Sequence, residues 1–542
     1  MRRNRYLPAL LAVCLPLSPQ RAHSQEARAA DAAHLLSRIS LGARPGDVAR
    51  VLELGIDSFI ELQLTAATPN ADLDSLVSRY ALIRQPITDL ARIDREQQRL
   101  IRERQLRVAG NDMAPPPSPP ARPPNLRRRM IQETQQRAIV QAISSETQLL
   151  EVMVDFWTNH FNVFIGKGPL RFLTASYVDQ VIRPNALGQF ESLLVATAQS
   201  PAMLVYLDNA QSVAAGAVPP QVRNAQRRLR RMGNGPRADS VRRSLRRMRR
   251  NLPNGLNENY ARELLELHTV GVDAGYTQQN IIETARALTG WSVDPQNGFA
   301  FRFNQWAHAA GPTTVMGRDL SDYEGIDQGL ALLDFLANHP ATMHHVSAKL
   351  CARFVADDPP EGCIDAAVGA WRDSNGDIRA VVRAILHSPD FWDDGYRMAK
   401  TKTPLEFVVS AVRALDARAD TTMRLTGMLN RLGQPPFGQS VPTGYPESQE
   451  SWINTGAMLD RFNIAMALAS GRSPVQVDLA DVIPTADDPT TLVARVNDAL
   501  LGGRGSAHTL DVIRRQVADL RPRDARTLAV ALALGSPEFQ RQ

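Results

Sequence analysis

Residues 257–268 read NENYARELLELH, and the spacing of their polar side chains indicates an amphipathic helix. The polar positions at i, i+3, i+4 and i+7 share one helix face and are Asn259, Arg262, Glu263 and Glu266. The three leucines of the stretch point away from that face. The charged stripe is therefore either a solvated surface or the lining of a cleft.

Apolar residues recur at the same helical spacing through most of the chain. They predict helices over residues 33–41, 45–54, 56–64, 139–156, 259–268, 278–288, 329–337, 378–386 and 404–417. Only residues 299–303 and 313–316 resemble strands. At one helix, Thr277 is the expected N-cap and Gly290 the expected terminating glycine. The sequence predicts an all-α fold, a large multi-helix domain with loop insertions and few or no strands.

The first 24 residues have the pattern of a secretory signal peptide. Three early arginines form a positive segment, residues 7–17 are apolar, and residues 22–24 form a small-x-small cleavage site. We expect residues 1–24 to be removed during export. The mature protein is therefore expected to be periplasmic or secreted.

The mature chain, residues 25–542, is expected to form one large domain, because no long linker separates its helical segments. Loss of four signal-peptide arginines lowers the formal net charge from +6 to about +2. No later stretch reaches the roughly 18 to 20 apolar residues that span a bilayer, so no transmembrane segment is expected after cleavage. A proline-rich insertion is predicted near residues 113–125.

An arginine-rich insertion is predicted near residues 221–250, where twelve arginines accompany a single acidic residue, Asp239. Such a block concentrates enough positive potential to attract phosphates, anionic lipids or acidic polysaccharides. A solvated insertion without a partner is the alternative. Nucleic-acid binding is disfavoured because no aromatic residues interleave with the arginines.

Two cysteines, Cys351 and Cys363, remain after signal removal. In an oxidising compartment, a pair 12 positions apart either closes a small disulfide loop or stays as two buried thiols. Metal binding is not predicted, because no second histidine or cysteine pair completes a tetrahedral set.

Ionisable residues in apolar surroundings are the candidate catalytic groups, because burial shifts their pKa values. Residues 155–162 place Asp155 and His160 among aromatic residues. His160 is a candidate acid, base or ligand, with a hydrogen-bonded core histidine as the alternative.

Three further carboxylates are candidate catalytic residues: Glu258 and Glu263 of the charged helix, and Asp208 in the sequence Tyr-Leu-Asp-Asn. Ordinary surface ion pairs, or a turn at Asp208, are the alternative interpretation. The candidate substrate-binding residues are Asn209, Asn257, Asn259, Arg262, Glu283, Arg286, Trp291 and His308.

No cofactor is identified from the sequence. The chain contains no glycine-rich phosphate loop, no Gly-x-Ser-x-Gly elbow, no His-Glu-x-x-His zinc helix and no Cys-x-x-Cys-His haem site. Carboxylate-based hydrolysis leaves no fixed local signature, because its two acids can come from distant parts of a chain.

The chain resembles a bacterial family known as domain of unknown function 1800, over nearly all of its mature length. The resemblance is carried by residues 33–38, 156–161 (FWTNHF), 204–209 (LVYLDN), 256–263 (LNENYARE), 285–291 (ARALTGW), 349–351, 388–392 and 444–446 (GYP), with Trp452. It implies a large, mainly helical exported protein, often encoded beside a second exported protein, and no established reaction. It favours as site residues Asp208, Asn257, Glu258, Arg262, Glu263 and His160.

The first functional hypothesis is a hydrolase that acts on an envelope or extracellular polymer such as a glycan. Its general acid would be Glu263 or Glu258, and its partner carboxylate Asp208 or Asp155.

Two other hypotheses stay open. One is a metal- or haem-dependent oxidoreductase with His160, His268 or His308 as a ligand. The other is a non-enzymatic envelope assembly or interaction protein, which binds an acidic surface or an exported partner protein through residues 221–250.

Overall fold

The computed structural model describes residues 19–65, 70–109, 125–233, 235–250, 255–417, 424–471, 475, 477–486 and 488–542. Most of the predicted signal peptide, residues 1–18, lies outside the described residues. The predicted proline-rich insertion also lies outside them, except for its last residue, Asn125, which caps a helix.

The first part of the chain is a series of helices. These are α1 (Pro19–Ile39), α2 (Asp47–Leu54), α3 (Ile56–Thr65), α4 (Ala71–Ser78), α5 (Ile87–Ala109), α6 (Leu126–Ser144), α7 (Gln148–His160), α8 (Leu170–Tyr177), α9 (Arg183–Asn185), α10 (Phe190–Gln199), α11 (Pro201–Tyr206), α12 (Pro220–Arg230) and α13 (Pro236–Arg250). A π-helical segment, Val178–Ile182, joins α8 to α9.

The second part continues in the same way. Its helices are α14 (Glu258–Glu263), α15 (Gln278–Ala287), α16 (Ile326–Ala337), α17 (Pro340–Phe354), α18 (Glu361–Ser374), α19 (Ile378–His387), α20 (Pro389–Trp392), α21 (Pro404–Ala414), α22 (Arg424–Arg431), α23 (Thr455–Ala469), α24 (Leu479–Val482), α25 (Pro489–Leu501), α26 (Ala507–Val517), α27 (Pro522–Gly535) and α28 (Pro537–Gln540). The structure is 67% helix and 3% strand, which confirms the all-α prediction.

The predicted helix over residues 139–156 is wrong as a single helix. The chain breaks between α6 and α7, where Ser145 adopts an extended conformation. The Gln148 side chain donates to the carbonyls of Ala142 (3.0 Å) and Ser145 (2.7 Å). These bonds provide donors for backbone carbonyl groups at the end of α6. The apolar spacing did not reveal this break, because buried apolar residues recur at helical spacing both before and after it.

Two small antiparallel sheets interrupt the helices. β1 (Trp291–Asp294) pairs with β2 (Ala300–Phe303), and β3 (Thr314–Val315) pairs with β4 (Arg318–Asp319). The strand predictions at residues 299–303 and 313–316 are thus confirmed at β2 and β3. Their partner strands were not predicted. β1 alternates apolar and polar residues over only four positions, and β4 consists of two charged residues.

Thr277 caps α15 as predicted, since its hydroxyl accepts from the Asn280 amide in a reciprocal capping box. Gly290 follows the end of that helix with a φ of 84°. A Cβ at this position would lie 2.8 Å from the Asn304 carbonyl oxygen, so the turn into β1 requires glycine.

The main hydrophobic core contains buried residues from Ala32 near the start of the described chain to Phe539 near its end. Within this core, Cys351 of α17 and Cys363 of α18 form a disulfide. The disulfide resolves the choice left open by the sequence. Closing a loop of this length stabilises the folded chain by about 3 kcal/mol.

The arginine-rich segment forms a helical hairpin of α12 and α13, which pack against each other. The residues that this hairpin buries are Val222, Ala238 and Leu245. Most of its arginines are exposed. Among the described residues, no helix is both long and apolar enough to cross a membrane.

Candidate functional site

His160 lies at the end of α7 and is 3% exposed. Its Nε2 is 3.2 Å from the His268 carbonyl oxygen, and its Nδ1 is 3.0 Å from Lys349 Nζ. Burial, together with the nearby Lys349, lowers the pKa of His160 well below its usual value. The imidazole is therefore neutral: Nε2–H donates to the carbonyl oxygen, and Nδ1 accepts from Lys349.

Lys349, which contacts His160, also lies near Glu447 of a loop that follows α22. Burial lowers the pKa of Lys349, and Glu447 opposes this shift. Asn159, the neighbour of His160, donates from Nδ2 to Glu447 Oε1 (3.2 Å) and to the Tyr445 carbonyl (2.8 Å). Its Oδ1 accepts from the Tyr445 amide at 2.6 Å.

The loop over residues 435–447, here called the clamped loop, is held by side chains from other elements. Asn162 Nδ2 donates to the Gln439 and Val441 carbonyls, at 3.2 and 2.8 Å. Tyr206 donates from its hydroxyl to the Ser440 carbonyl at 2.9 Å. The clamped loop therefore ties the end of α7 to the end of α11.

Gly444 of the clamped loop has a φ of 74°. A Cβ there would lie 2.4 Å from the Asn159 carbonyl oxygen. Both the backbone conformation and the close approach require glycine. The GYP motif is thus explained by its contact with the FWTNHF motif.

Asp208 lies two residues beyond the end of α11. It adopts a left-handed conformation with a φ of 61°. Its Oδ2 lies 2.9 Å from Lys167 Nζ, which also donates to the Tyr206 carbonyl oxygen at 2.5 Å. The Lys167 and Asp208 side chains are 38% and 47% exposed, so a solute can reach this ion pair.

Glu263 ends α14 and is half-buried. Burial and the neighbouring Glu266 raise the pKa of Glu263, and Arg262 opposes the shift. Glu263 is also close enough to Tyr206 to contribute to the rise of the tyrosine pKa to about 12, which is caused mainly by burial. Glu263 and the Lys167–Asp208 ion pair therefore both lie near Tyr206.

The charged stripe expected along residues 259–266 is only partly regular. From Leu264 to His268 the helix widens into a π-helix, so the i+7 spacing of a regular helix no longer applies to Glu266. Glu266 accepts instead from the Tyr276 hydroxyl at 3.2 Å.

The Gln278 side chain bridges Arg262 and Glu258 by hydrogen bonds. Arg262 Nη2 lies 3.1 Å from Gln278 Oε1, and Gln278 Nε2 donates to Glu258 Oε2 at 2.6 Å. Asn257 and Asn259 both direct their amide groups to the Leu207 carbonyl, at 3.2 and 3.5 Å. These polar residues tie the start of α14 to α15 and to the Asp208 turn.

Asp155 faces a different space, an internal cavity of about 80 Å³. Burial raises the pKa of Asp155 to about 7, with Arg353 opposing this shift and Glu447 adding to it. Asn159 and Asn162 line the same cavity. Its volume admits a few water molecules but is too small for a sugar ring.

Of the other predicted binding residues, Asn209 and His308 form hydrogen bonds with backbone carbonyls, and Trp291 lies in the core. Buried Asn209 donates to the Leu288 and Trp291 carbonyls, at 3.2 and 3.4 Å. Trp291 is fully buried. His308 uses Nδ1 at 3.1 Å from the Thr289 carbonyl.

Glu283 and Arg286 form an ion pair of 2.8 Å on α15. Arg286 also donates to the carbonyls of Ala310 and Pro312. The pair therefore fixes the loop after β2.

The structure thus places Asp208 and Glu263 near Tyr206, and it pairs His160 with Lys349. It places Asp155 at a small cavity that the clamped loop also lines, through Pro436, Phe437 and Tyr445. Sequence reasoning missed Lys167, Tyr206, Lys349 and Glu447 as members of the site. Lys349 and Tyr206 were visible only as parts of family motifs.

Among the described residues, no group of three or more histidine, cysteine, aspartate or glutamate side chains is placed to hold a metal ion. His160 and His268 have ring centroids 6.1 Å apart. Both ring nitrogens of His160 already have partners within the protein. A metal would have to displace one of those contacts.

Comparison with curated proteins finds no match, and comparison with solved structures finds none either. A family model described as protein of unknown function (DUF1800) matches residues 34–541. This match covers nearly the whole chain and includes every motif of the site described above. The protein therefore belongs to the DUF1800 family.

Proposed function

We propose that the protein is a periplasmic or secreted hydrolase that cleaves an envelope or extracellular polymer, such as a glycan, by acid–base chemistry at Tyr206. Glu263 acts as the general acid, and Asp208 is the partner carboxylate. The observation that carries the proposal is that a half-buried carboxyl of raised pKa and an accessible, ion-paired carboxylate both lie near Tyr206. Glu263 adds to the rise of the tyrosine pKa, and Asp208 pairs with Lys167, which donates to the Tyr206 carbonyl oxygen.

Glu263 suits the role of acid because its protonated form persists to a higher pH than that of an ordinary glutamic acid. A general acid must be protonated at the pH at which it works, and burial beside Glu266 favours that form. Its half-buried position leaves one side of the carboxyl open to a substrate.

Asp208 suits the role of partner because Lys167 lies 2.9 Å from its Oδ2. The ammonium stabilises the carboxylate, which can activate water or stabilise a developing positive charge.

The buried polar residues beneath these groups support them. His160 and Lys349 fix the end of α7, Asn162 and Tyr206 fix the clamped loop, and that loop borders the Tyr206 surface. Rigid support of this kind holds reacting groups in place without reorganisation.

Asp208→Asn is expected to lower hydrolysis about 100-fold, because the amide cannot carry the negative charge. The assay incubates purified protein with peptidoglycan, chitin and acidic polysaccharides and measures newly formed reducing ends. The control is Asp239→Asn, which removes an exposed aspartate from a different ion pair, with Arg242. Equal rates for the Asp208 variant and the wild type would refute the role of Asp208.

A second candidate function is docking to an acidic surface through the α12–α13 hairpin, which exposes most of its arginines. Four arginine-to-glutamine changes, at residues 227, 230, 246 and 247, are expected to weaken binding to polygalacturonate about tenfold or more. The control changes exposed Arg514, Arg515, Arg521 and Arg523 in the same way. Unchanged binding of the hairpin variant, measured by calorimetry at low salt, would exclude this function.

A further inference from the structure

A second cavity, of about 550 Å³, lies between the start of the described chain and its last helices. Its walls come from the end of α1, the segment leading into α2, α21, α25 and the residues around α28. The volume falls within the roughly 300–1,000 Å³ of small-molecule sites. None of the predicted catalytic residues lines this cavity.

The Lys402 side chain lines this cavity. Its Nζ lies 4.0 Å from the centroid of the Phe539 ring, in a cation–π contact. Within the described parts of the chain, no hydrogen bond or ion pair reaches this ammonium group. The ammonium group has three donors, and the protein supplies it only with a ring as partner.

The carboxylate nearest in sequence, Glu406, is already engaged. It forms an ion pair of 2.8 Å with Arg353 and accepts from the Thr403 amide (2.8 Å) and from Gln542 Nε2 (3.0 Å). It therefore adds negative potential near Lys402 without forming a contact to its ammonium.

The other acidic residues of the cavity, Glu538 and Asp498, also form no ion pair with Lys402. Glu538 accepts from the Ser506 amide (3.1 Å) and the Thr509 hydroxyl (2.9 Å). Asp498 lies exposed. Arg504 and Arg541, also exposed, add positive charge to the lining.

We propose that this cavity binds a small anion that carries a carboxylate or phosphate group, and that the Lys402 ammonium pairs with that group. Arg504 adds to the positive potential that attracts the anion. The anion then accepts charge-assisted hydrogen bonds from the ammonium and so provides the acceptors that the protein does not supply. The site is independent of the hydrolytic site proposed above.

The protonation of Lys402 fits such a role. Burial, together with Arg504 and Arg461, lowers its pKa to about 7, and Glu406 opposes this shift. A bound anion favours the charged form, so binding at about pH 8 must take up a proton. Affinity is therefore expected to fall as the pH rises above the pKa of Lys402.

Calorimetric titration of the purified protein with inorganic phosphate, acetate, succinate and citrate tests the proposal. At least one probe is expected to bind at about pH 6.5, and Lys402→Met to weaken it about 10- to 100-fold. Proton uptake near pH 8, read from the dependence of the heat on the buffer, is expected in the wild type and absent in the variant. No binding by any probe, or equal binding by the variant, would overturn the proposal.

Melting temperatures provide a second measurement that does not depend on the probe. Lys400 is the matched control, because its Nζ is paired with Asp357. A lowered folded-state pKa makes the unpaired ammonium of Lys402 destabilising near neutral pH, and this effect disappears towards about pH 10. Lys402→Met is therefore expected to melt above the wild type at about pH 7, and Lys400→Met below it. A lower melting temperature for Lys402→Met would show that the ammonium is satisfied within the protein.

Discussion

Replacement of Glu263 by glutamine is expected to lower kcat/KM for the hydrolysed polymer by about 10²- to 10⁴-fold. Glutamine keeps the shape of the side chain but has no acidic proton to transfer to the leaving group. The variant should fold normally, because Glu263 is only half-buried. The measurement compares initial rates at equal protein concentration, with the melting temperature as the test of folding.

The pH dependence adds a sharper test of the same assignment. Burial and Glu266 raise the pKa of Glu263, so activity is expected to persist to a higher pH than an ordinary glutamic acid allows. Glu266→Gln removes the like charge and should move the alkaline limb of the pH–rate profile to lower pH. A profile that does not move would show that Glu263 is not the titrating acid.

Glu258→Gln is the matched control for the Glu263 variant. Both residues lie on α14, but Glu258 is engaged with Gln278 Nε2 at 2.6 Å. Its loss is expected to change the rate little. The opposite result, with Glu258 essential and Glu263 dispensable, would transfer the role of acid to Glu258 and contradict the present assignment.

The helices could be predicted from the sequence because their signals are local. Apolar spacing located α15, α16, α19 and α21, and the Thr277 cap is a contact between residues three positions apart. The same signal failed to predict the break at Ser145, because apolar residues keep a helical spacing on both sides of it. It failed again after Glu263, because a π-helical segment of five residues is too short to leave a periodic pattern in the sequence.

The candidate site was only partly predictable, because its contacts join distant parts of the chain. Asn159 and Tyr445 are 286 positions apart, and His160 and Lys349 are 189 apart. No local pattern encodes such pairs. The buried environment of His160 was predictable from its aromatic neighbours, whereas its lysine partner was not.

The sequence did not single out charged residues whose role depends on which partners they meet in the folded protein. Lys402 and Lys400 are two positions apart and look alike in the sequence. One ammonium contacts only the Phe539 ring, and the other is paired with Asp357. A difference of this kind appears only when the folded chain determines which partners are within reach.

Replacement of Arg353 by methionine is expected to lower the free energy of unfolding by about 3–5 kcal/mol. Arg353 and Glu406 form an ion pair of 2.8 Å, with side chains only 4% and 5% exposed. Without the guanidinium, Glu406 would remain as a buried charge whose other contacts cannot neutralise it. Urea denaturation at neutral pH measures the loss, and Arg515→Met, which breaks an exposed pair with Asp511, should change stability by less than about 1 kcal/mol.

Acid should reduce the difference between the wild type and the Arg353 variant. Arg353 holds the pKa of Glu406 below its usual value against the effect of burial. The stabilisation by the pair is therefore present above the unfolded-state pKa of glutamate and is lost as the pH falls through the lower folded-state pKa. Glu406→Gln combined with Arg353→Met removes both charges and is expected to recover most of the lost stability. A double variant no more stable than Arg353→Met would show that packing of the arginine, and not its charge, stabilises this part of the core.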